Sequence, residues 1–398
     1  MANKNKERQK SIGDIALEKL TPAGEAAWYF GFTEIKLPHS DKRDFTVARE
    51  FGEPISYGAK NHLLLDPILE ATTFRTYAEH LMYTLPQPVM VCFKHPKGEN
   101  KISEAVFDFH IIGFSRSIAE AVMIKTALAI LADDGHKEMF VEVNSMGDRE
   151  SANRFEKELV SHYRKHIENL PAEARQLFKH NIFEIPKYEE GDCEEFIASA
   201  PQSLSYLSDA SREHFKEVLE SLEVLGTPYK VQGGLIGSTH FVPQTLFSIR
   251  QGAITDKGSE VLAFGGRVTS FARRVGLKKE IPVVSMSVRI KTLSKISKPT
   301  KKMPRPKFYF MQLGLEAKLK ALSVIDSLRK SKIPVSHSLT KDKIIGQMSS
   351  AENIHAPYLI IMGQKEAHEN TVVVRHVATR AQETVAIAEL PKYLKKLK

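Results

Sequence analysis

The chain has 398 residues, 42% hydrophobic and 26% charged, which suits two globular domains with separate cores and excludes a wholly disordered polymer. No apolar run reaches the roughly 18–20 residues of a membrane span, and with only Cys92 and Cys193 there is no Cys/His spacing for a metal, so neither a spanning helix nor a metal site is expected. The formal net charge is +9, yet residues 1–10, Lys291–Lys307 and Lys392–Lys398 together hold +14, leaving −5 for the rest.

Residues 1–10 form a charged tail without the apolar core of a signal peptide; it is expected to be disordered, and the setting reducing and cytoplasmic. The spacing of Ile12, Ile15, Leu17 and Leu20 predicts a helix, and Thr21-Pro22 starts a second one through Trp28. Phe32–Leu37 alternates as a strand ending at Pro38. His62–Asp66 is a short strand, and Glu70–Leu81 a helix. Val89–His95 and Phe107–Gly113 make a strand–loop–strand hairpin. Ser117–Asp133 is helical, Phe140–Asn144 a strand, and the next helix opens with Asp148 or Ser145 as its cap. Residues 160–225 read as helical around an acidic interruption, Glu184–Glu195, which is either solvated surface or a docking patch for the chain's own basic linker.

Val231–Arg267 is the stretch around which the chain is organised. It is an extended run through Ser248, a turn-rich segment, and a second run from Glu260, with Gly233, Gly234 and Gly237 permitting close backbone approach. A Lys/Pro-rich linker, residues 294–306, follows. Beyond it, Lys307–Leu313, Ile333–Ser336, Tyr358–Gly363, Thr371–Arg375 and Thr384–Ala388 read as strands. Leu315–Lys330, Lys341–Asn353 and a segment begun by Pro391 read as helices. That alternation predicts a small α/β domain with a mixed sheet.

Leu235, Thr245-Leu246-Phe247, Gly265-Gly266-Arg267, the turn Asn144-Ser-Met-Gly147 and the run Leu359–Leu397 together resemble histidyl-tRNA synthetase, a class II aminoacyl-tRNA synthetase, from about Gly13 onward. The resemblance implies an α/β (α+β) fold: an antiparallel-sheet class II core over 11–293, with a helical insertion at about 148–230. The linker at 294–306 then leads to an anticodon-binding-like domain over 307–398. It also implies a homodimer, because Pro38 stands where the family has its interface proline.

The resemblance fails where the family keeps its chemistry. Lys94 replaces the arginine that forks onto the ATP α-phosphate, and lysine lacks that bidentate geometry. Ile111 replaces a glutamine. Asp66–Glu70 replaces the segment whose acid and hydroxyl hold the amino acid, although a shifted alignment lets Glu70 substitute. Gly237 stands for the arginine of Arg-Gly-Leu-Asp-Tyr-Tyr; His240 and Phe241 fall in the same run, and only Phe241 keeps its character. Ser248 replaces the glutamate of Val-Phe-Glu. Thr292 replaces the motif 3 arginine at the head of a helix, with Arg289 three positions earlier as a register-slip alternative. Arg267 matches, and is either an anion contact or structural. His110 reads as a half-buried strand histidine.

The expectation is therefore a protein with no catalytic residue and no cofactor, in which the missing guanidinium groups argue against ATP and histidine binding. Its expected partner is tRNA or another RNA. The candidate contacts are Lys298, Lys301, Lys302, Arg305 and Lys307, cations that are otherwise only solvated linker charge. Two alternatives remain open: a regulatory subunit whose synthetase-like core controls a partner enzyme, and a divergent but active histidyl-tRNA synthetase.

Overall fold

The computed structural model describes residues 11–52, 55–56, 64–96, 105–170, 172–187, 199–237, 243–255, 259–268, 271–291 and 302–397. The N-terminal tail, His240, Phe241, Thr292, Lys298 and Lys301 lie outside these residues, as does most of the acidic interruption.

In chain order, the strands of the first unit are β1 (Thr33–Glu34), β2 (Ile55–Ser56), β3 (Leu64–Leu65), β4 (Val89–Pro96), β5 (Ala105–Ile112), β6 (Met139–Ser145), β7 (Tyr229–Val231), β8 (Thr245–Gln251), β9 (Val261–Val268) and β10 (Val283–Ile290). Eight of them form one sheet in the order β1-β4-β5-β10-β9-β8-β6-β7; its central ladders are antiparallel, and β1 and β7 add parallel edges. Every residue of β5, β9 and β10 is buried, so the middle of the sheet is covered on both faces. The paired glycines of β9 are steric requirements: a methyl at Gly265 or Gly266 would lie 2.5 Å from the carbonyl oxygen of Ser285 or Thr245 respectively.

Sequence chemistry sets several helix starts. Thr21 Oγ1 accepts the Gly24 N–H at 3.0 Å ahead of Pro22–Tyr29, with Pro22 in the first turn. Asp66 accepts the Ile68 N–H at 2.8 Å ahead of Pro67–Glu79, so this acid has a capping task of its own. Asp148, one of the two predicted caps, accepts the Ser151 N–H at 2.8 Å to open Arg149–Lys165.

Other expectations need correction. The first predicted helix is only a 3-10 turn, Ile12–Asp14. The extended run from Val231 is broken: β7 ends at Val231, Gly233 and Gly234 form a turn closed by Leu235 N–H to Gln232 O at 3.0 Å, and β8 starts at Thr245. Arg289 and Ile290, aligned with the start of a helix, instead end the strand Val283–Ile290, because its β-branched residues and serines fit a doubly covered ladder; Thr292 and Leu293 lie outside the described residues.

The C-terminal unit is a five-stranded mixed sheet. Its strands are β11 (Phe308–Gln312), β12 (Val335–His337), β13 (Tyr358–Met362), β14 (Thr371–His376) and β15 (Gln382–Ala386), in the order β12-β11-β13-β14-β15. β12, β11 and β13 run parallel, and β14 and β15 close the sheet as an antiparallel hairpin. The helix Leu315–Lys330 packs it onto the Pro22–Tyr29 and Ile118–Asp133 helices of the first unit, and one apolar cluster runs through both. Arg116 pairs with Asp342 at 2.8 Å, Arg329 with Asp133, and His337 Nε2–H donates to the Tyr29 carbonyl at 2.8 Å across the same junction.

Candidate active site

Side chains alternate across a strand, so the register assigns each residue to one face of the large sheet. One face meets the helices Pro22–Tyr29 and Ile118–Asp133 through Phe107, Phe109, Ile111, Val284, Met286 and Val288. The other carries two polar rows. Asn144, Leu246, Gly266, Ser285, His110 and Val91 lie in one row, and Glu142, Ser248, Phe264, Ser287, Asp108 and Phe93 in the next.

The helix Pro67–Glu79 lowers Glu70 onto this second face. His110 Nδ1 lies 3.0 Å from Ser285 Oγ and 3.8 Å from the Glu70 carboxyl, and the imidazole stacks on Phe93. Ser287 donates to Asp108 at 2.6 Å. Burial pushes the Glu70 carboxyl up to about 8 and the Asp108 carboxyl up to about 7, and pushes His110 down to about 3. At neutral pH Glu70 and His110 are therefore uncharged, and Asp108 stands near its midpoint. Its unused capacity is concentrated: Glu70 Oε2, Asp108 Oδ2 and His110 Nε2 are buried without hydrogen-bond partners, and so are Arg289 Nε and Nη2.

Two guanidinium groups on this face have carboxylate partners. Arg250 holds Glu142 at 2.6 Å, while Lys230 reaches the other oxygen of that carboxylate at 3.0 Å. Burial alone would raise the Glu142 carboxyl, but Arg250 outweighs it and the group sits below its ordinary range. Arg289 pairs with Glu260 at 2.9 Å.

The structure divides the positions grouped from sequence. Lys94 pairs with Phe107 and Ile111 with Met90 and Val284, so both belong to the helix-covered face, across the sheet from Glu70 and His110. Ser248 lies on the polar face and donates to Glu142 at 3.1 Å. Gly237 is buried in the loop before β8, its N–H facing Met146 Sδ at 3.0 Å. Arg267 faces the helices. It forks onto Glu120 at 2.7 and 2.5 Å and donates to the carbonyls of Phe114 and Arg116, which leaves it a scaffold group. Burial would raise Glu120, but Arg267 and His214 overcome it and hold the carboxyl down at about 2. Lys302, Arg305 and Lys307 are exposed, and Arg305 donates to the Ile354 carbonyl at 3.2 Å.

Sequence reading passed over Asp108, Ser285, Ser287 and Glu142 and took His110 as half-buried, whereas it is fully buried. The signal was present: Phe107-Asp-Phe-His-Ile and Val284-Ser-Met-Ser-Val put a polar residue at every second position of otherwise apolar strands. Chemically, neutral acids and a neutral imidazole donate and accept hydrogen bonds well. They are poorly suited to neutralising a growing phosphate charge, a task that needs free cations.

Comparison with known proteins follows this architecture. Residues 307–397 match the family model described as "Anticodon binding domain". The chain is 26% identical over 344 residues to a histidine–tRNA ligase of Geobacillus kaustophilus, covering 83% of this chain and 80% of the relative. It is 28% identical over 347 residues to that of Halothermothrix orenii, covering 84% and 82%. The apo crystal structure of Staphylococcus aureus histidyl-tRNA synthetase superposes with a TM-score of 0.51 at 21% identity, covering 93% of each chain. The fold is that of a class II synthetase, and the chain is histidyl-tRNA synthetase-like along most of its length.

Proposed function

We propose that this synthetase-like protein does not activate histidine and instead binds tRNA or another structured RNA through its C-terminal domain. The observation that carries the binding half is charge: residues 302–398 hold 17 Lys and Arg against 8 Asp and Glu, a surplus of nine that equals the net charge of the whole chain. Exposed Lys302, Arg305 and Lys307 lead into that domain, and the match to an anticodon-binding family supports an RNA ligand. The non-catalytic half is supported by the sheet register. The cation standing where the family grips phosphate, Lys94, is on the helix-covered face, and Arg267 is consumed by Glu120.

Filter binding of the full chain to bulk tRNA over a salt series tests this. Affinity should fall as salt rises, and neutralising Lys302, Arg305 and Lys307 together should flatten the slope by about two to three phosphate contacts. Tight binding with an unchanged slope would count against these residues. A homodimer is part of the proposal, and sedimentation of the purified protein tests it.

A second reading has its own support. The partnerless buried atoms of Glu70, Asp108, His110 and Arg289 suit a small polar ligand on the old catalytic face, as in a regulatory subunit that senses a metabolite and controls a partner enzyme. Affinity capture that returns nucleic acid alone would argue against it.

A further inference from the structure

A cavity of about 230 Å³ lies at the junction of the two domains, away from the Glu70–His110 face. Its core side is apolar, formed by Phe30, Met90, Ile118 and Val122. Its C-terminal side is polar, with Tyr309, His337 and Lys341 among the groups that close it. Among the described lining residues Lys341 is the one lysine or arginine and none is an acid, while burial pushes His337 down to about 4.

The polar side has unused capacity. Tyr309 is 1% exposed, and its hydroxyl has no well-formed hydrogen bond, only a loose approach to Ser350. His337 spends Nε2–H on the Tyr29 carbonyl, which leaves Nδ1 as a buried acceptor without a partner. Lys341 Nζ donates to Ser350 Oγ at 2.5 Å and, at 3.5 Å, to the Gly346 carbonyl, both neutral acceptors that bring it no counter-charge. Buried polar atoms are nearly always bonded, so an imidazole acceptor with no partner and an under-used hydroxyl in the lining of a single cavity, beside a lysine, mark it as a candidate site.

We propose that this junction binds a small monocarboxylate with an apolar body. The carboxylate meets Lys341 and the Tyr309 hydroxyl, and the hydrocarbon part lies on the Phe30–Val122 wall. One cation matches one negative charge, which selects against phosphates, and the volume limits the ligand to about the size of a single aromatic acid. Because both domains build the walls, an occupied cavity ties them together and raises the stability of the docked arrangement. The proposal is independent of RNA binding and of the state of the old catalytic face.

Calorimetric titration of the full chain with 3-phenylpropionate, alongside thermal unfolding, tests it. The expected result is saturable one-to-one binding with a rise in Tm, weakened about tenfold when 3-phenyl-1-propanol replaces the acid and again in Lys341→Met. Tyr309→Phe should weaken it by a smaller factor. Ser338→Trp, at the half-buried rim, should abolish binding while leaving the unliganded Tm near wild type; should Lys341→Met unfold, Lys341→Gln serves in its place. Absence of saturable binding at millimolar probe would overturn the proposal, as would binding that ignores both the Lys341 substitution and the blocked rim.

Discussion

Both faces of the central sheet bury paired charge, but only one also buries a titratable cluster that has no counter-ion among the described residues. On the helix side, Arg267 and Glu120 are 1% and 0% exposed, and the guanidinium finds a carboxylate and two carbonyls. On the other side, Glu70, Asp108 and His110 are just as deeply buried but avoid charge, and each keeps an atom with no partner. A satisfied buried ion pair belongs to the scaffold. A cluster pushed toward neutrality, with hydrogen-bonding capacity left over, has the chemistry of a polar binding surface rather than of a scaffold.

Breaking the satisfied side should cost most. Arg267→Met leaves the buried Glu120 with His214 as its remaining side-chain partner and should destabilise the protein by about 3–5 kcal/mol, whereas Arg267→Met with Glu120→Gln should recover a large part of that loss. Urea unfolding of the three proteins checks it, and equal losses in the single and double variants would refute the pairing.

The neutral side should show itself in the pH dependence of stability. Glu70 and Asp108 keep their protons when folded up to about 8 and about 7, against ordinary values of 4.5 and 3.8. Between those limits the folded state binds more protons than the unfolded one, so their contribution is complete at low pH and is lost as pH rises through 7 to 8. Each adds a slope of up to about 1.4 kcal/mol per pH unit. His110, held at about 3 against an ordinary 6.5, works in the opposite sense and removes stability as pH falls below 6.5. Above about pH 4.5 the two acids lose stability faster than the one imidazole gains it, so these three groups together place maximum stability near about pH 4–4.5. Glu70→Gln with Asp108→Asn should flatten the alkaline limb, and an unchanged limb would show that these carboxyls ionise freely.

Smaller effects sharpen the contrast. Lys94→Arg changes the cation of this hairpin but not its face, so no ATP-dependent activity should appear; any gain measured by pyrophosphate exchange would mean the hairpin register differs in solution. Replacing Lys302 alone should weaken RNA binding only a few-fold at moderate salt, in keeping with one phosphate contact among several.

Much of this was legible in the amino-acid sequence. The helix caps at Thr21 and Asp148, the Val89–His95 hairpin and all five C-terminal strands follow from local residue chemistry, and the structure places each of them close to its expected bounds. The division of Lys94 and Ile111 from His110 was less accessible. A one-residue step along a strand reverses the face, and only the ladder partners Phe107, Met90 and Val284 say which side is which. Arg267 showed the same gap: an isolated arginine after two glycines gives no hint that Glu120, far away in sequence, is waiting beneath it. The broken run after Val231 was misread because β-branched residues around Gly233-Gly234 look like strand until the turn is seen.

Histidine-dependent exchange of pyrophosphate into ATP, measured on the purified full-length protein with and without tRNA, tests the central claim most directly. The account predicts exchange indistinguishable from a no-enzyme control at any histidine concentration. Exchange that saturates with histidine and disappears in Arg289→Met would contradict it, by showing that the Glu70–Arg289 face grips a nucleotide.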